Sequence, residues 1–218
     1  MPERSTVRTV PLVAAIAAVA AVLVTASWEL SFERIAANER ARLLASLSSV
    51  LDPDVLARDL DPVLITVEDP ERLGSNEPLE VFVPVDGGRP IAAIFASVAP
   101  DGYNAPIGLL IGIEFATGDI TGVRVVNHRE TPGLGDLIDI EKSDWILQFN
   151  GRRVDDPPAS AWAVTKEDGV FDSMTGATVT PRAVIRAVHN TLLYFREHRD
   201  ELITAVREAE SRGNPPPD

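Results

Sequence analysis

Hydrophobic spacing divides the chain into four stretches. Residues 9–28 carry no charge over 20 positions and are rich in Ala and Val. At the helical rise that length crosses a hydrocarbon core of about 30 Å. Arg4 and Arg8 precede the run, and Trp28 stands where an interfacial aromatic anchor belongs. Residues 31–51 then place Phe32, Ile35, Leu43, Leu44, Leu47, Val50 and Leu51 along one broad helical face. Ser31 can cap that helix and Asp52-Pro53 ends it. Mixed charges on its polar side favour a stalk packed on a domain over a helix lying in a membrane surface.

Residues 52–78 are punctuated by proline and charge, show little periodicity, and read as a connector. Beyond them the spacing drops to two. Leu79, Val81, Val83 and Val85 alternate, and Asp86-Gly87-Gly88 supplies a turn into residues 91–98. Residues 107–116 and 120–127 pair as a second hairpin across Thr117-Gly118-Asp119. A glycine-rich loop at residues 128–135 leaves the last strand, and Trp145, Ile146 and Phe149 read as core. Two short strands, residues 162–164 and 168–171, lead towards the last element. That element is a helix from about Pro181 towards Glu210, with Val184, Ile185, Val188, Leu192 and Phe195 on one face. Sheet, then loop, then helix predicts an α+β domain with an antiparallel sheet and a C-terminal helix. The divisions are a tail at 1–8, a transmembrane helix at 9–28, stalk and connector at 29–78, a domain at 79–212 and a disordered tail at 213–218.

Composition narrows the chemistry. A chain of 218 residues, 45% apolar and 24% charged, has room for one ordinary domain with a real core. A net charge of −13 argues against nucleic acid as a partner. The chain contains no cysteine, which excludes iron–sulfur ligation and disulfides, so a redox role needs another cofactor. His128, His189 and His198 lack metal-ligand spacing, and no metal site is assigned. No acid–base pair or nucleophile suggests a catalytic residue. A leader cleaved after Ala26 competes with a retained anchor, but the apolar run is longer than a usual signal core, which favours the anchor.

The stretch with the most chemical content is Asp172-Ser173-Met174-Thr175-Gly176-Ala177-Thr178. With Thr180 as N-cap and Pro181 in the first turn, Gly176-Ala177-Thr178 forms a tight turn just before a helix N-terminus. Unpaired N–H groups and the helix dipole favour an anion there. On these grounds alone the turn is either a phosphate site beside a threonine hydroxyl or a capped loop whose threonines satisfy backbone groups.

The same seven residues resemble the flavinylation motif of the periplasmic FMN-binding domains, Asp-x-x-(Ser/Thr)-Gly-Ala-Thr. Upstream, Glu130-Thr131-Pro132-Gly133-Leu134-Gly135 resembles the second signature of that family, and Lys142-Ser143-Asp144-Trp145-Ile146 is also typical. Two signatures in this order behind one N-terminal membrane helix are similar to the G subunits of the Rnf electron-transport complexes, the ion-translocating ferredoxin:NAD oxidoreductases. The C subunits of the sodium-translocating NADH:quinone reductases carry the same pair, and the compact length favours the Rnf family. Thr175 stands where the family more often has serine.

The resemblance implies FMN joined through its phosphate to Thr178 by a flavin transferase. Thr175, Gly176 and Ala177 would form the turn, and Asp172 would either position it or bind the transferase's metal. Glu130, Thr131 and Leu134 would wall the isoalloxazine ring, with His128, Gly133 and Gly135 of the same loop also binding the cofactor; the competing reading of the loop is a purely structural turn. Lys142 would either favour a reduced, anionic flavin or be a solvated surface lysine. It further implies a single-pass protein of the bacterial inner membrane with its domain in the periplasm. Its partners would be the other membrane proteins of the complex and the transferase. Alone, it would turn over no metabolite. Competing expectations are an anchored binding or assembly module that is never flavinylated, and a secreted carrier released after Ala26.

Overall fold

The computed structural model describes residues 50–51 and 61–213. The expected membrane helix at 9–28, all but the end of the stalk helix and the last five residues lie outside that range. Among the described residues no helix is long and apolar enough to cross a membrane.

Five strands form an antiparallel sheet: β1 (Asp61–Val67), β2 (Leu79–Asp86), β4 (Ala92–Ala99), β5 (Ile107–Glu114) and β6 (Ile120–Asn127), in the order β1-β2-β4-β5-β6. The two-residue β3 (Arg89–Pro90) turns back on the end of β2 through Val85↔Pro90. A single helical turn, α1 (Pro70–Leu73), links β1 to β2. Asp69 caps it, accepting from the Arg72 N–H at 2.9 Å.

The alternating and apolar runs from Leu79 to Asn127 thus form strands close to where their period places them. The connector reading of residues 52–78 does not hold for 61–67, which pair with β2 in unbroken register from Asp61↔Val85 to Val67↔Leu79. Two features obscured this strand. Pro62 is tolerated because β1 is an edge strand, and Leu64 faces out, 49% exposed, which breaks the inward rhythm of Val63, Ile65 and Val67.

The long helix α2 (Val179–Gly213) lies across one face of the sheet. Val184, Ile185, Val188, Leu192 and Phe195 are buried on it, and the same stripe continues through Leu202 and Val206. Phe95 of β4 meets Tyr194 and Phe195 edge-on at 5.9 and 6.3 Å, and Phe115 meets Phe195 at 5.2 Å. Burying each such side chain contributes roughly 1.5–3 kcal/mol, and this interface fixes the helix on the sheet. A buried polar contact within it is satisfied. Thr191 Oγ donates to the Ala187 carbonyl at 2.9 Å, leaving Ser97 Oγ to donate to Thr191 at 2.9 Å.

On the opposite face, Gly112 and Gly122 sit side by side in the β5–β6 register. A Cβ at either would come within 3 Å of the Val50 backbone, and Thr121 Oγ donates to the Val50 carbonyl at 2.6 Å. Val50 packs against the sheet because two glycines leave room for its backbone.

Between β6 and α2 the chain has no regular strand. The two short strands expected at 162–164 and 168–171 reduce to a single parallel bridge, Val164↔Phe171, among 3-10 turns at Asp144–Phe149, Ala159–Ala161 and Thr165–Glu167. Aromatic packing holds this region. Phe171 lies 4.7 Å from Phe149 and 5.2 Å from Trp162, and Trp145 packs edge-on to Phe149 at 5.5 Å. His189 of α2 stacks on Trp162 at 4.7 Å. This cluster anchors the residue immediately before Asp172.

Candidate functional site

The chain enters the Asp172–Thr178 stretch from a fixed point. The Asp172 N–H donates to Gln148 Oε1 at 2.8 Å, and the Asp172 carbonyl accepts from Trp145 Nε1 at 2.8 Å. Both backbone groups are thus held by the 144–149 segment, while the side chain stays exposed. Met174 turns inward and is buried. The Ala177 N–H closes a turn onto the Met174 carbonyl at 3.4 Å. Gly176 sits in that turn at φ +81°, a backbone conformation that favours glycine. Thr175 and Gly176 form its exposed tip, and Thr178 is half-buried as the last residue before α2.

The expected role of Thr180 as N-cap is not what is found. The helix begins at Val179, and the buried Thr180 hydroxyl donates to Glu130 Oε2 at 2.5 Å. A buried carboxylate offers a stronger acceptor than solvent, and the first helical turn leaves Thr180 pointing at it.

Glu130 lies in the loop after β6. Three N–H groups, those of Leu134, Gly135 and Asp136, converge on the Thr131 carbonyl at 3.1, 3.1 and 3.4 Å, and Gly133 N–H donates to Asp136 Oδ1 at 2.7 Å. The chain then passes into a 3-10 turn, Gly135–Ile138. Gly135 is required for space rather than for its φ. A Cβ there would lie 2.7 Å from Glu130 Oε2 and 2.9 Å from Thr180 Oγ. The second Glu130 oxygen accepts from the Asn104 N–H at 3.3 Å.

The loop after β6 and the turn before α2 face one another across a cavity of about 450 Å³. Among the residues anticipated from sequence, Glu130, Thr131, Leu134, Gly135, Gly176, Ala177 and Thr178 line it. His128, Gly133, Lys142, Asp172 and Thr175 do not. His128 Nδ1 accepts from the Glu130 N–H at 3.1 Å, which shapes the loop from outside the cavity. Lys142 is exposed in the turn closed by its own N–H onto the Asp139 carbonyl at 2.9 Å. Sequence reasoning missed Tyr103, Val179 and the cavity-facing position of Thr180. Tyr103 lies in an aperiodic loop between β4 and β5, where the only sign of it was an aromatic residue among turn formers.

The cavity is polar in its lining at Glu130, Thr178 and Thr180 and apolar at Leu134 and Val179. Its volume falls in the usual range for small-molecule sites of about 300–1,000 Å³. At the Thr178 end, the first turn of α2, which runs unbroken to a kink at His198, offers N–H groups and a positive dipole to an anion. An amphipathic ligand with a planar body and a phosphate end fits these surroundings, and FMN is such a ligand.

Residues 102–193 match the FMN-binding domain family, so this part of the chain is an FMN-binding domain. Three relatives extend the match over most of the chain, each the G subunit of an ion-translocating oxidoreductase complex. That of Shewanella loihica is 38% identical over 95% of this chain and 98% of its own. That of Aliivibrio fischeri strain MJ11 is 36% identical over 95% and 99%, and that of Pseudoalteromonas atlantica 40% identical over 83% of each. The chain belongs to this family, the G subunits of ion-translocating oxidoreductase complexes. Among solved structures, NqrC of Shewanella oneidensis aligns with a TM-score of 0.47 at 21% identity, over 69% of this chain and 87% of that one.

Proposed function

We propose that the chain is the electron-carrying component of a membrane-bound Rnf-type ion-translocating oxidoreductase, holding FMN as a phosphoester on Thr178. The observation that carries the proposal is the position of Thr178. It follows a tight turn through Gly176 and Ala177 at the start of α2 and lines a cavity walled by the Glu130–Gly135 loop. Thr178 would hold the phosphate covalently, with the helix N-terminus beside it. Glu130, Thr131, Leu134, Gly135, Gly176 and Ala177 would surround the rest of the molecule. FMN, when bound, supplies the one- and two-electron chemistry. The chain's own residues bind it, orient it and limit its contact with water.

Attachment is the work of a flavin transferase acting on FAD. Thr178 would supply its hydroxyl oxygen to the flavin-side phosphorus, and AMP with the hydroxyl proton would leave as the pyrophosphate bond is broken. Residues 9–28 would anchor the protein in the inner membrane with its domain on the periplasmic side. There a covalent tether prevents loss of a cofactor that could not easily be replaced. The other membrane proteins of the complex would supply and receive electrons, and the chain alone would turn over no metabolite.

The test is the intact mass of membrane-purified protein co-expressed with a flavin transferase, with peptide mapping across residues 167–182. The expected result is the mass of FMN less one water on Thr178, absent from a folded, membrane-bound Thr178→Ala variant. Unmodified Thr178, in a host whose transferase modifies a control protein, would reduce the chain to a non-flavinylated member of the family.

A further inference from the structure

Among the described residues, Tyr103 is the only aromatic side chain lining the cavity, yet it lies outside both sequence signatures. It is 66% exposed, and no other described ring packs against it. The backbone that carries it is, in contrast, tightly held. The next residue, Asn104, donates from its N–H to Glu130 Oε1 at 3.3 Å. Its side-chain Nδ2 donates to the Arg129 carbonyl at 2.9 Å and to Thr131 Oγ at 3.4 Å. The preceding Gly102 sits where a Cβ would meet the Ala105 carbonyl at 2.1 Å. The β4–β5 loop is thus locked to the loop that walls the cavity, and it carries an exposed aromatic ring on the cavity lining.

Exposing apolar surface is unfavourable, and the distribution of that exposure is not random. Among the described residues six large apolar side chains are exposed, and three of them, Tyr103, Leu134 and Val179, line this one cavity. Exposed apolar side chains beside the buried polar groups of Glu130 and Thr180 suit a ligand with a flat aromatic body and a polar tail. We propose that Tyr103 is the stacking residue for the isoalloxazine ring, lying against the ring while Thr178 holds the phosphate. This rests on the reading of Thr178 as the FMN attachment point and adds a ring-binding residue to it. Because the loop backbone is already held, only the side-chain torsions of Tyr103 are ordered on stacking, which limits the entropic cost.

The test uses the full chain, flavinylated in the cell and purified from membranes, as wild type, Tyr103→Leu and Tyr103→Phe. The side chain is exposed, so all three should fold and carry equal amounts of FMN by intact mass. A phenol stacked on a flavin quenches its emission by electron transfer, and its bulk shields the ring from solvent. Emission should rise severalfold in both variants. Iodide quenching should increase in Tyr103→Leu but stay near wild type in Tyr103→Phe, which keeps the flat shield without the donor. Flavin attached, with emission and iodide access in Tyr103→Leu the same as wild type, would overturn the stacking role alone. A wild-type protein without FMN on Thr178 would overturn the attachment reading and the stacking role together, and mass distinguishes that case before any optical measurement.

Discussion

Thr180 and Glu130, 50 residues apart in the chain, meet through a 2.5 Å hydrogen bond from the Thr180 hydroxyl to Glu130 Oε2. Glu130 is 5% exposed, and its other oxygen accepts from the Asn104 N–H. One carboxylate therefore ties the β4–β5 loop, the loop after β6 and the first turn of α2 together around the cavity. A buried carboxylate that loses a donor keeps its full desolvation cost. Thr180→Val should destabilise the fold by about 1–3 kcal/mol in denaturant unfolding. The double variant with Glu130→Ala should lose less than the sum of the two single losses, because either change alone removes the Thr180–Glu130 bond. Strict additivity would show that the pair does not couple.

The two glycines of the neighbouring loop should fail for different reasons. Gly133 has φ +76° with nothing within 4 Å of its missing side chain, whereas Gly135 is crowded by Glu130 Oε2 and Thr180 Oγ. Asn tolerates positive φ, so Gly133→Asn should cost less than Gly133→Ala. Gly135→Ala would push into a bonded pair and should cost about 1–3 kcal/mol from overpacking. Gly135→Asn should be worse than Gly135→Ala. The same ranking at both positions, measured by thermal melting, would mean that space is not what Gly135 provides.

Asp172 separates attachment from stability. Its side chain is exposed, but its N–H and carbonyl are held by Gln148 and Trp145. Asp172→Ala should leave the melting temperature unchanged and slow FMN incorporation by transferase and FAD, because only the carboxylate is lost. Gln148→Ala should act on both, leaving a backbone N–H less well satisfied and the turn less fixed. A variant at Asp172 that is flavinylated at the wild-type rate would mean that its carboxylate has no part in attachment.

Much of this architecture is legible in the chain itself. The alternation from Leu79 to Val85 and the apolar runs to Asn127 are strands. The Val184–Phe195 stripe is the buried face of α2, because a sheet face and a helix stripe are repeating patterns. The aperiodic parts are not legible in the same way. β1 is hidden by its edge position, where Pro62 and an outward Leu64 are both tolerated. Thr180 has the local chemistry of a cap, and only tertiary packing brings Glu130 close enough to take its hydroxyl instead. Tyr103 leaves no periodic trace at all. Its place on the cavity wall is set by hydrogen bonds from Asn104 to a loop about 25 residues further on.

His189 stacks its ring on Trp162, and its Nε2 is buried without a hydrogen-bond partner. Burial holds its pKa below the ordinary value of 6.5. Arg196 and Arg72 push it in the same direction, and Asp155 opposes them. The folded protein therefore keeps the ring neutral at a pH where the unfolded chain is already taking up a proton. As pH falls below about 6.5, the unfolded state binds more protons, so stability contributed by the neutral ring is lost until the folded group also titrates. Above that pH the contribution is fully present. His189→Phe keeps a flat ring against Trp162 and removes the titration. The stability difference between wild type and this variant should be constant above about pH 7 and shift against the wild type as pH falls below about 6.5. Paired chemical-denaturation curves from about pH 8 downwards measure it. Parallel pH profiles in the two proteins would show that His189 titrates alike folded and unfolded, and that its burial against the aromatic cluster carries no pH-dependent stability.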